Sequence, residues 1–103
     1  MITDKLKLEL PNMNYKQGQE HLKSLAAELG LELVQSPTRY EKTERDWYTS
    51  DNFYIKDADW RIYCKIIFLS PAGSVAGEPQ HCPEFCFGQW LVSGPVSYSQ
   101  EFK

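Results

Sequence analysis

The sequence predicts an α+β domain: a mainly antiparallel sheet of five to six strands with one amphipathic helix packed on one face, in the order β-α-β-β-β-β-β. Three observations lead there. Apolar residues recur with helical spacing in one stretch only, around residues 14–29. Strand-forming residues punctuated by Asp, Asn, Gly and Pro dominate from residue 31 onward. The chain has 103 residues, 42% hydrophobic and 24% charged, which suits one globular domain over residues 1–103 with a single core.

Leu6, Leu8 and Leu10 alternate with Lys5, Lys7 and Glu9, the period of a half-buried strand, and Pro11 ends it. From Asn14 the period changes. Tyr15, Gly18, Leu22, Leu25, Ala26 and Leu29 fall on one side of a helix, with Asn14 as N-cap and Gln17 as its capping-box partner. Gly30 supplies the left-handed residue that closes the helix. Leu31, Leu33 and Val34 then form a strand stopped by Ser36-Pro37.

Three antiparallel strands are expected next, at residues 39–48, 53–56 and 60–69, with polar breaks at Thr49-Ser50-Asp51-Asn52 and Lys56-Asp57-Ala58-Asp59. In the last, Trp60, Ile62, Cys64, Ile66 and Phe68 face one way, and Arg61, Tyr63 and Lys65 the other. Its end, Ile66-Ile67-Phe68-Leu69, is apolar on both faces and belongs at the covered centre of the sheet. Residues 70–84 hold Pro71, Gly73, Gly77, Pro79 and Pro83 and read as a long irregular connection, a type of segment that often carries function. Phe85 to Val92 restores a strand, Ser93-Gly94-Pro95 turns the chain, and Val96, Tyr98 and Phe102 form a last edge strand.

Composition narrows the function. A net charge of −3 provides no basic surplus with which to neutralise a run of phosphates or hold an anionic membrane, so nucleic acid is not an expected partner. The opening residues Met1-Ile2-Thr3-Asp4-Lys5 lack the apolar run of a secretory signal, and no stretch approaches the ~20 apolar residues of a membrane span. A cytoplasmic location is therefore expected. Three cysteines, Cys64, Cys82 and Cys86, are few and odd in number, which predicts free thiols.

The densest reactive cluster is His81-Cys82-Pro83-Glu84-Phe85-Cys86, with Cys64 on a neighbouring strand. Thiolates and imidazole suit zinc, and Cys64, His81, Cys82 and Cys86 would make a set of four. The spacing argues against it, because the cysteine gap is three, only one pair exists, and adjacent His81 and Cys82 would have to turn to the same ion. His21 sits on the flank of the helical stripe, where a part-buried, hydrogen-bonded histidine is the plain expectation. Asp46, Asp51, Asp57 and Asp59 fall near turns that favour Asp in their own right. The chain carries none of the short nucleophile-elbow, phosphate-loop, dinucleotide or metalloprotease signatures. Neither an enzyme nor a cofactor is expected.

The most distinctive segment is aromatic. Tyr40, Trp47, Tyr48, Phe53, Tyr54, Trp60 and Tyr63 are seven of the fourteen aromatics and fall within 24 residues. Around them, Arg39 to Lys65 holds six basic residues against six acidic ones, so the segment is balanced and unlike the basic platforms that stack bases. One helix covers one face of a sheet, and Tyr, Trp and Arg dominate interface hot spots. These facts predict a small non-enzymatic domain that binds another protein through Tyr40, Arg45, Trp47, Tyr48, Tyr54, Trp60, Arg61 and Tyr63. Its size and acidity suit an inhibitor of the bacterial immunity or phage counter-defence kind. Two other arrangements stay open: the zinc module built on Cys64, His81, Cys82 and Cys86, and a homo-oligomeric subunit, such as a homodimer, paired through an open sheet edge.

Overall fold

The computed structural model describes residues 2–42, 44, 47–72, 74–75, 78–79 and 84–101. The first element corrects the sequence reading. Residues 5–10 are not a strand but part of helix α1, Ile2–Glu9, followed by a 3-10 turn, Leu10–Asn12, that takes in Pro11. Ile2, Leu6 and Leu10 are spaced by four, so a helix brings them to one side. Leu6 and Leu10 are fully buried, whereas Leu8, which a strand would have placed beside them, is 82% exposed. Leu, Lys and Glu are also helix formers rather than β-branched residues.

Helix α2 runs Tyr15–Glu28 and starts as its sequence predicts. The Asn14 side chain accepts from the Gln17 amide (2.8 Å), and the Gln17 side chain accepts from the Asn14 amide (3.0 Å). Gly30, at φ +68°, closes it. Tyr15, Leu22, Leu25 and Ala26 are buried, and His21 Nε2 lies 3.2 Å from Glu9 Oε1, tying α2 to α1.

Five strands form one antiparallel sheet: β1 (Glu32–Gln35), β2 (Arg39–Lys42), β3 (Trp47–Lys56), β4 (Ile62–Ala72) and, after a short ladder of β5 (Ser74–Val75) with β6 (Glu78–Pro79), β7 (Gln89–Ser93). Their order is β1-β3-β4-β7, and β2 pairs with β3 on the same edge as β1. The α+β class with helix packed on antiparallel sheet is therefore what the chain adopts. The helical side of the sheet is covered by two helices rather than one.

The strand limits shift for physical reasons. Thr49-Ser50-Asp51-Asn52 does not break a strand; β3 runs straight through it, paired along its length with β4. Asp51 and Asn52 prefer turns when their side chains bond their own backbone. Here they serve the neighbouring segment: the Ser36 amide donates to the Asn52 carbonyl (2.9 Å), and Thr38 Oγ1 donates to Asp51 Oδ1. That pinned link, with Pro37 between, lets β1 and β2 share one edge of β3. β4 extends to Ala72 and excludes Trp60, β7 begins only at Gln89, and the expected edge strand at the end is a single bridge of Val96 to Ile62 followed by helix α3, Tyr98–Glu101. Phe102 lies outside the described residues.

The core joins Leu6 and Leu10 of α1 and its 3-10 turn, Tyr15, Leu22, Leu25 and Ala26 of α2, and Phe53, Ile55, Cys64, Ile66, Phe68 and Trp90 of the sheet. Ile62, Cys64, Ile66 and Phe68 are buried as the alternation predicts, and β4 is a central strand. Among the described residues no helix is long and apolar enough to cross a membrane.

Candidate functional site

The eight aromatic and basic residues singled out by sequence do not form one face. Strand pairing fixes their sides. Tyr40 pairs with Thr49 and Lys42 with Trp47, on the side of the helices, while Glu41 pairs with Tyr48 on the other. There, Tyr48 donates to Glu41 Oε2 (2.6 Å), which raises the phenol's pKa. Lys42 Nζ stands 5.7 Å from the Trp47 ring centre. Tyr54 is only 4% exposed and offers no surface to a partner. Arg45 lies outside the described residues. Trp60, Arg61 and Tyr63 gather at the opposite end of the β3–β4 hairpin, about 30 Å from Trp47 along a ten-residue strand.

That hairpin tip is built by Asp57. Its amide donates to the Arg61 carbonyl (3.1 Å), and the Trp60 amide donates back to the Asp57 carbonyl (3.1 Å). The carboxylate accepts from the amides of Arg61 and Asp59 through Oδ1 (2.9 Å each) and from the Tyr63 hydroxyl through Oδ2 (3.1 Å). The Arg61 amide above all holds the Asp57 carboxyl below its ordinary pKa against desolvation, which acts the other way, and the Tyr63 and Asp59 bonds add to the lowering. The loop is thus three residues, Ala58, Asp59 and Trp60, closed by a left-handed residue before β4 resumes. Glycine or asparagine fills that last position most cheaply.

Here it is tryptophan. Trp60 has φ +60°, the left-handed position among the described non-glycine residues. A bulky side chain in that region costs about 1–2 kcal/mol of backbone energy. The ring is held in place: Lys56 Nζ stands 4.2 Å from its centre, and Tyr98 meets it edge-on at 5.2 Å and 67°. Lys56 itself is 6% exposed, with its ammonium donating to Glu32 Oε2 (2.7 Å) and to the Asp57 carbonyl (3.2 Å). Trp60 nonetheless remains 39% exposed. Sequence reading chose Trp60, Arg61 and Tyr63 but missed Glu32, Lys56, Asp57 and Tyr98, which frame them. The legible clue was Asp57-Ala58-Asp59-Trp60 itself, a hairpin loop with no glycine.

The cysteines do not assemble as the zinc reading requires. Cys64 is free, fully buried in the core, and its thiol is pushed up to about 12 by burial, with a small opposing pull from Lys7. Cys86 is disulfide-bonded, which corrects the expectation of free thiols and removes a thiolate from the set. His81 and Cys82 lie outside the described residues. Among the described residues no group of three or more His, Cys, Asp or Glu could hold a metal ion. Comparison with family models, curated proteins and solved structures found no match.

Proposed function

We propose that this chain is a small protein-binding domain, of inhibitor or immunity type, that anchors its partner through Trp60 at the β3–β4 hairpin tip. The observation that carries this reading is the left-handed conformation of Trp60. A sequence free to choose glycine at that position instead holds a large ring there, exposed by more than a third and braced from two sides. Backbone strain of this kind is kept where the surroundings over-determine it, and such residues cluster at functional sites. Tryptophan is also the residue type most enriched among interface anchors, since its area is buried at small entropic cost. Arg61 and Tyr63 flank it with a charge and a hydroxyl, a mixed rim around an aromatic centre.

Trp60→Gly separates this role from simple packing. Glycine relieves the strain while losing the contacts to Lys56 and Tyr98, so the folded state should melt within a few degrees of the parent. Binding should suffer by about 2 kcal/mol or more, the scale of a tryptophan hot spot. The check is capture by parent and variant baits, followed by titration of the retained protein. A partner held equally by Trp60→Gly, or a variant that fails to fold, overturns the reading.

A further inference from the structure

The two edges of the sheet are guarded differently. Three of the four residues of β2, Arg39, Glu41 and Lys42, are charged, and all four are exposed. Charged side chains on an edge strand are a standard defence against pairing with another sheet. The opposite edge is β7, Gln89-Trp90-Leu91-Val92-Ser93, which among the described residues pairs with β4 alone. It has no charge and no proline, and its register with β4 is unbroken. Among the described residues no backbone hydrogen bond reaches its outer side. Gln89, Leu91 and Ser93 are exposed, as is Phe87 just before the strand.

The same five residues are complementary to themselves. Leu91 is the middle one, so an antiparallel copy related by a two-fold axis at Leu91 sets it against the partner subunit's Leu91. Gln89 then faces the partner subunit's Ser93, and the pairing repeats in reverse. An apolar side chain meets its equal, an amide meets a hydroxyl, and no charge is left without a counterpart. From this we infer that β7 joins two copies of the chain edge to edge in an antiparallel contact centred on Leu91, making one sheet continuous across the dimer.

The experiment is light scattering coupled to size exclusion, with purified chain from micromolar to millimolar concentration. The parent chain converts from monomer to dimer as concentration rises. Leu91→Lys and Leu91→Glu each weaken association at least about tenfold, because like charges face each other across the axis. An equimolar mixture of the two restores the dimer, since Lys then faces Glu. Leu91 is 39% exposed, so either side chain fits the folded monomer. Hydrogen exchange on the parent gives an independent reading, with amides within 89–93 slowing as concentration rises. A parent chain that stays monomeric with exchange indifferent to concentration overturns the inference. So do single variants that associate as the parent does, and a mixture that stays monomeric.

Discussion

Gly18 lies inside α2, where alanine would ordinarily add about 1 kcal/mol of helix stability. The site reverses that sign. A Cβ there would stand 2.1 Å from Trp90 Cζ2 and 2.6 Å from Cη2, so helix and sheet touch through the missing side chain. Trp90 cannot step aside freely: its ring packs on Phe68 at 4.5 Å and on Tyr15 at 6.5 Å, and Nε1 donates to the Met13 carbonyl (3.1 Å). Gly18→Ala should therefore destabilise by about 1–3 kcal/mol, the usual range for overpacking. Thermal or denaturant unfolding would show it as a lowered midpoint, and an unchanged or raised midpoint would mean that the ring moves. Sequence placed Gly18 on the buried stripe but not its reason for being glycine. The partner ring comes from 72 residues later, and only the tertiary fold brings the two together.

At the scale of elements, legibility followed how local the causes are. The α2 cap, its closing glycine and the alternation of β4 from Ile62 onward depend on neighbours within a turn or a strand, and these are as read, whereas Trp60 falls outside the strand. α1 was misread because Leu6, Leu8 and Leu10 fit a period of two, and only burial shows that Leu8 stands outside. The break assigned to Thr49–Asn52 failed for the opposite reason, since Ser36 and Thr38 recruit those residues from across the sheet. The hairpin tip is local, and its pH response can be argued from one group. Asp57 has a folded pKa below its ordinary 3.8, so below that value the unfolded chain binds more protons than the folded one. The carboxylate's support is complete above 3.8 and is lost as pH falls through the lowered value. The Arg61 and Asp59 amides should lose protection in that acid window, and Trp60 fluorescence should change with them. Asp57→Asn keeps an oxygen for both amides but cannot titrate, so its loop should show no such step. A step that survives in Asp57→Asn would assign it to another carboxyl.

Across the whole molecule the buried layer is divided along β3. Toward the hairpin tip, Phe53 and Ile55 face Ile66 and Cys64 in an apolar core. Toward the other end the same side of the sheet turns polar: Asp51 is fully buried with Oδ2 unpartnered, and Thr49 and Ser70 share a buried hydroxyl pair at 2.7 Å. Tyr15 sits at the boundary. Gln19 Nε2 donates to Gln35 Oε1 (3.1 Å) and Gln35 Nε2 donates to the Tyr15 oxygen (3.1 Å), so a polar chain links α2 and β1. Burial first, then the charge of Asp51, pushes Tyr15 up to about 12, with the Gln35 bond acting the other way. The folded chain thus keeps the phenolic proton where the unfolded chain, at 10, has released it. Its contribution is complete below pH 10 and is lost as pH rises through 12. Tyr15→Phe removes the proton from the balance but leaves Gln35 without its acceptor, so the variant is less stable at neutral pH and flatter in the alkaline range. Tyr48, raised by its bond to Glu41, titrates in both chains and cancels in the difference. Denaturant unfolding at a series of pH values from neutral to strongly alkaline measures that difference. It should shrink steadily above pH 10, whereas a constant difference would mean that folding does not raise Tyr15.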